Sequence, residues 1–112
     1  MWHKVMILGR LGGDPEMKYT AEGTAVTNFS VAANRGGDKP PVWFRASCWE
    51  KQAEVVNTYL HKGDSVLIEG SLVSDESGSP RVYKKKDETY GASFEVYVDR
   101  IVFAGKAADH ED

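Results

Sequence analysis

Val42-Trp43-Phe44-Arg45-Ala46-Ser47-Cys48-Trp49 alternates strictly, and Lys51–His61, the one convincing helical stretch of the chain, follows it. Side chains on a strand repeat with a period of two, so Phe44, Ala46 and Cys48 share one face and Trp43, Arg45, Ser47 and Trp49 the other. The first set is small and apolar and suits a core. The second holds a guanidinium between two indoles, which a core does not accept unpaired. The spacing therefore predicts that this second face points outward. In the helical stretch Ala53, Val56 and Leu60 form a narrow apolar stripe with Tyr59 beside it. Lys62-Gly63 ends it.

Working outward, Val5-Met6-Ile7-Leu8 reads as a largely buried first strand. Gly9, Gly12 and Gly13 call for a bent strand or a close backbone approach. Asp14-Pro15 and Glu22-Gly23 read as turns. From Thr24 to Ala33 the chain alternates again, with Val26, Asn28 and Ser30 on one face and Thr27, Phe29, Val31 and Ala33 on the other. Arg35 to Pro41 is a loop. Downstream, Ser65–Leu72 is a fourth strand and residues 74–92 are polar and turn-rich. Ser93–Phe103 is a fifth. Phe94, Val96 and Val98 are out of phase there with Ile101 and Phe103, so the pattern predicts a bulge near Asp99-Arg100. Three strands, one helix and two strands is the order of an all-β fold, the five-stranded Greek-key OB-fold barrel with its helix between strands 3 and 4. A mixed α+β sheet of other topology is the alternative.

The length of 112 residues suits one domain, read here as 1–106 with a short acidic tail at 107–112. With 41% apolar and 28% charged residues, the chain has the balance of a soluble globular protein. One cysteine excludes an intrachain disulfide framework. The apolar run at Val5–Leu8 is too short for a membrane span, and the expected location is cytoplasmic. The net charge of −3 sits in the tail, at Asp109, Glu111 and Asp112. The rest of the chain is neutral overall, with four cations concentrated between Arg81 and Lys86. Such a local stripe can bind a polyanion, because fields are screened within about 8–10 Å at physiological salt.

The outward Trp face and these cations point to a single-stranded nucleic acid. Its bases stack on indoles and its phosphates pair with basic groups. Arg45 can meet a phosphate or stack on a base. Arg35 and Lys39 come from the loop after the second strand. Arg81, Tyr83, Lys84, Lys85 and Lys86 come from the loop between the fourth and fifth strands, which flanks the binding face of an OB-fold. Competing readings put both tryptophans under a loop or in a subunit interface, make the lysine run a solvated hairpin, or favour RNA over DNA.

Val5-Met-Ile-Leu-Gly-Arg-Leu-Gly-Gly-Asp-Pro-Glu-Met-Lys-Tyr-Thr20 resembles the opening of bacterial-type single-stranded DNA-binding proteins. So do Gly23-Thr-Ala-Val-Thr-Asn-Phe-Ser-Val-Ala32, Ala53-Glu54 with Tyr59-Leu60, Lys62-Gly63 and Ile68-Glu-Gly-Ser-Leu72. The resemblance spans residues 2–104. It implies an OB-fold, a homotetramer, and binding of single-stranded DNA without sequence preference in replication, recombination and repair, in a nucleoid-associated cytoplasmic setting. By position, Trp43 and Trp49 match stacking aromatics of the family, and Lys4, Lys18, Lys51 and Lys62 fall near its backbone-contacting cations. Arg35-Gly36-Gly37 stands where many members carry a loop tryptophan, and Tyr83 is the nearest aromatic to another in the hairpin. Fewer stacking contacts per subunit are expected, with Tyr83 or Tyr90 as partial replacements. The family's long tail with a hydrophobic acidic tip, which docks replication and repair proteins, has no counterpart in Ala107–Asp112.

His3, His61 and His110 are scattered and no Cys/His pair has zinc spacing, so no metal is expected. Gly9–Gly13 precedes no helix and is not a phosphate loop. Cys48 should face the core and be inert. No nucleophile–base set or carboxylate pair stands out. No enzyme, cofactor or small-molecule substrate is therefore expected.

Overall fold

The computed structural model describes residues 2–107, so the expected acidic tail lies outside the described residues beyond Ala107. The elements are β1 (Val5–Leu11), β2 (Glu16–Tyr19), β3 (Ala25–Ala33), β4 (Val42–Trp49), α1 (Glu50–Tyr59), β5 (Ser65–Leu72), β6 (Val82–Lys84), β7 (Tyr90–Ala92) and β8 (Phe94–Gly105). Five strands close a barrel in the order β1–β5–β8–β4–β3–β1. The β4–β8 seam is parallel and the others are antiparallel. The helix stands between the third and fourth barrel strands, as the OB-fold requires. β2 is added to the edge of β3, and β6–β7 is a separate hairpin.

The core is built by alternation. Val31, Val66, Ile68 and Val96 are fully buried, and burying a side chain of this kind contributes about 1.5–3 kcal/mol. α1 packs on β2, β3 and β4 through buried Ala53 and Val56. The buried Thr27 hydroxyl donates to the Ala53 carbonyl at 2.6 Å and ties the helix to the barrel. Cys48 is buried beside them, and burial pushes its thiol up to about 12.

The expected bulge is present. Glu69 pairs with Arg100 and Gly70 with Val98, which leaves Asp99 as the extra residue and returns Ile101 to the inner face. The first strand differs from expectation. It alternates instead of being buried throughout: Ile7 and Leu11 enter the core, but Met6 and Leu8 are 64% and 66% exposed. An apolar run of four residues does not distinguish a two-sided buried strand from one whose outer face is also apolar. β2 and the β6–β7 hairpin lie in segments read as turns and loop, because short strands carry little periodic signal. The helix ends two residues before His61, and Leu60 already has extended backbone.

The turn after α1 fixes the loop between β1 and β2. Leu11 N–H donates to the Asp64 carbonyl at 3.0 Å and Gly63 N–H to the Leu11 carbonyl at 2.8 Å. The Asp64 carboxylate is fully buried and accepts the N–H groups of His61 and Ala107, each at 2.9 Å. One buried carboxylate thus holds the helix exit to the end of the barrel chain, and its own backbone holds β1.

Candidate nucleic-acid interface

β4 carries the site because its two faces have opposite character. Ala46 and Cys48 are buried, Phe44 packs against the core, and Trp43 and Arg45 are exposed. Register partners in a sheet share a face, so the outer surface can be read row by row. Lys18, Val26 and Trp49 form one row. Glu16, Asn28, Ser47 and Tyr97 form the next. Ser30, Arg45 and Glu95 form a third, and Arg10, Ala32 and Trp43 a fourth. Trp43 and Trp49 are six residues apart on one strand, about 20 Å at the usual strand rise.

Trp43 is 51% exposed. Its ring rests on Gly12 of the β1–β2 loop, where a Cβ would stand 2.7 Å from Trp43 Cη2 and closer still to Cζ3. Gly9 serves a second close approach, to the Ala32 carbonyl, whereas Gly13 meets nothing. Beside Trp43 opens a groove of about 340 Å³. The β1–β2 loop and β2 line it with Gly12, Gly13, Asp14 and Glu16; β3 and β4 supply Asn28, Phe29, Ser30 and Arg45. Among the described residues the Arg45 side chain makes no hydrogen bond or ion pair. Its guanidinium is available to a ligand.

Trp49 is half-buried and meets Tyr97 edge-to-face, with ring centroids 4.7 Å apart. Tyr97 itself is 46% exposed. Sequence reading passed it over, because its place beside Trp49 depends on the parallel β4–β8 register. Arg10 was also missed. It shares the row of Trp43, and its guanidinium donates to the Gly63 carbonyl at 3.1 Å.

The basic residues divide into groups. Lys18 lies in the Trp49 row. Lys62 is exposed, and its backbone N–H donates to Oδ1 of the groove residue Asp14 at 2.9 Å. Lys51 is exposed in the first turn of α1, two residues beyond Trp49. Arg35 and Lys39 are exposed in the β3–β4 loop, where Arg35 Nε–H donates to the Pro40 carbonyl at 2.7 Å. Lys4 stands apart from this face, on β1–β5 with Glu69 at 3.5 Å.

The cluster at 81–86 is less free than its composition suggests. Arg81 pairs with Glu95 at 2.6 Å, and this carboxylate raises the Arg81 pKa by hydrogen bonding and by charge. Lys84 pairs with Glu88 at 2.6 Å. Tyr83 and the Cε of Lys85 both crowd Gly91, within 2.9 Å and 2.7 Å of the place a Cβ would fill. Lys86 is exposed at the hairpin tip. The hairpin and the loop before it also carry Asp75, Glu76, Asp87 and Glu88, which balance the four cations. Tyr90 is exposed on β7.

The model of the single-strand binding protein family matches residues 2–104, nearly the whole chain. The chain belongs to this family. A similar relative is single-stranded DNA-binding protein 1 of Synechocystis sp. (strain ATCC 27184 / PCC 6803 / Kazusa), 41% identical over 87 residues, covering 70% of this chain and 72% of that protein. The single-stranded DNA-binding protein of Neisseria meningitidis serogroup A is 34% identical over 110 residues, covering 92% of this chain. The match takes in 60% of the Neisseria protein, so the chain spans about three-fifths of that relative's length. Single-stranded DNA-binding protein 1 of Chlorobaculum tepidum is 40% identical over 77 residues. Among the described residues no cluster of His, Cys, Asp and Glu could hold a metal ion.

Proposed function

We propose that this member of the family binds single-stranded DNA without sequence preference, and protects it in replication, recombination and repair. The observation that carries the reading is the outer face of β4. It presents Trp43, Arg45 and Trp49 in succession while the inner face of the same strand builds the core. Bases stack on the indoles, and phosphates meet Arg45 and the surrounding cations Lys18, Lys51, Lys62, Arg35 and Lys39. The hairpin adds Tyr83, Lys85 and Lys86. The mode is binding and not catalysis. Competition between a labelled single strand and unlabelled duplex of equal length tests it. The single strand should retain the protein at duplex excess, with affinity falling as salt rises. Equal competition by duplex would defeat the reading.

Self-association belongs to the same proposal, as a homotetramer by family likeness. Up to Gly9, β1 pairs only with β5, since its pairing with β3 begins at Arg10. The first five of the seven residues of β1 therefore have an open edge, flanked by exposed Met6 and Leu8. On the outer surface Leu8, Leu67 and Val102 form an apolar row. An open edge with apolar flanks suits strand pairing with another chain, and a second copy of this one supplies the matching edge. Several OB-folds acting together would cover a longer strand than the roughly 4–16 nucleotides of one. The expected setting is the nucleoid, and replication and repair proteins are candidate partners. No helix of the described residues is long and apolar enough to cross a membrane.

A further inference from the structure

Around Glu16, one row along the sheet from the Arg45 guanidinium that would receive a phosphate, the groove beside Trp43 has the wrong charge for phosphate. Asp14 and Glu16 face it against one guanidinium, that of Arg45. Asp14 is already engaged by the Lys62 backbone. The Glu16 carboxylate has no hydrogen bond or ion pair among the described residues. A phosphate placed here would meet a free carboxylate. An uncharged base would meet an acceptor.

A donor stands next to that acceptor. Glu16 on β2 and Asn28 on β3 are register partners, and such side chains leave the sheet about 5 Å apart. Asn28 Oδ1 accepts the Ser47 hydroxyl at 2.7 Å. With Oδ1 so engaged, the Nδ2–H group donates to nothing among the described residues. The groove thus offers a carboxylate acceptor beside an amide donor, two rows along the sheet from the exposed indole that lines the same groove.

Every nucleobase carries an adjacent donor and acceptor on its Watson–Crick edge: N3–H and O4 in thymine, N4–H and N3 in cytosine, N6–H and N1 in adenine, N1–H and O6 in guanine. An acceptor–donor pair complements any of them, since the base can turn over on the indole. In a duplex these atoms are consumed by pairing. We infer that Glu16 and Asn28 hydrogen-bond the Watson–Crick edge of the base stacked on Trp43, so that the groove selects an unpaired base edge irrespective of base identity. The inference rests on the single-strand reading above and deepens it: stacking supplies affinity, and the edge contacts supply discrimination against paired bases.

Oligothymidylate compared with an oligomer of N3-methylthymidine of the same length provides the test. The modified base keeps its π-face and its phosphates, loses the N3–H donor, and turns a methyl group toward the carboxylate. The wild-type protein should bind the methylated oligomer about ten-fold more weakly or worse, the scale of a lost hydrogen bond to a charged group. In Glu16→Ala the gap between the two oligomers should close. Glu16 is exposed on a short outer strand, and an unchanged thermal melt would show the variant folded. Equal wild-type affinities for the two oligomers would overturn the inference. So would a Glu16→Ala variant that binds both more tightly by one common factor, because Glu16 would then act only as a like charge near phosphates. Failure of the wild-type protein to bind oligothymidylate itself would instead refute the single-strand reading on which the inference stands.

Discussion

The indole of Trp43 lies over the backbone of Gly12, so closely that any side chain on Gly12 would collide with the ring. The contact joins two elements that are remote in sequence. Gly12 is held by its N–H to the Ser30 carbonyl at 3.0 Å, and Trp43 stands on the next strand of the same face. One side of the ring is supported and about half the residue stays open. Gly12→Ala should therefore displace the indole without touching the core. Its melting temperature should stay near wild type, while affinity for oligothymidylate falls toward the loss expected for Trp43→Ala. A shifted Trp emission spectrum would report the displacement. Wild-type affinity in Gly12→Ala would remove the support role.

The two tryptophans should respond differently to truncation. Trp43→Ala and Trp49→Ala should each weaken single-strand binding by about 1–3 kcal/mol. Trp49 also packs edge-to-face on Tyr97, a contact worth about 0.5–1.5 kcal/mol beyond burial. Chemical denaturation should therefore show a stability loss for Trp49→Ala that Trp43→Ala lacks.

The hairpin lysines are not equivalent. Lys84 is occupied by Glu88, whereas Lys85 and Lys86 form no ion pair. Each phosphate contact contributes about 0.7 to the log–log salt slope for a single strand. Lys85→Ala and Lys86→Ala should each lower the slope by about that amount, and Lys84→Ala should lower it less. A triple alanine variant with the wild-type slope would show the hairpin to be solvated.

Cys48 is a buried reporter of folding. Its pKa is raised from 9.0 to about 12 by desolvation. A raised folded value means that this group's contribution to stability is complete below about pH 9 and is lost as pH rises toward about 12. Denaturation midpoints of the wild-type protein should fall across this window more than those of Cys48→Ala. A thiol reagent at neutral pH should modify Cys48 at the rate of unfolding.

The open edge of β1 makes its own prediction. Met6→Glu with Leu8→Glu places two charges on an exposed face and removes nothing from the core. Sedimentation should show a smaller assembly than wild type, with the circular dichroism spectrum retained. An unchanged sedimentation coefficient would place self-association elsewhere or nowhere.

The barrel was legible because its main strands carry their period in a few consecutive residues. Phe44–Ala46–Cys48 against Trp43–Arg45–Trp49 needs no knowledge of neighbours, and the phase change in the last strand was enough to place the bulge at Asp99. What pairs across strands was not legible. Tyr97 reaches Trp49, and Glu16 stands opposite Asn28, only through registers set by the sheet. The same holds for charge. Arg81 to Lys86 reads as one cationic block, yet Glu95, fourteen residues from Arg81, binds its first member. Met6 and Leu8 misled for a different reason, since an apolar outer face leaves the same local pattern as a strand buried on both sides.

Bases received on the Trp43 face should change the emission of its indole. The decisive experiment is tryptophan fluorescence during titration with oligothymidylate, against a duplex control and with Trp43→Phe in parallel. Deep, saturable quenching by the single strand alone is expected, with a smaller amplitude in Trp43→Phe. No quenching by either nucleic acid, in a sample shown to be folded, would contradict it and assign the indoles to protein assembly.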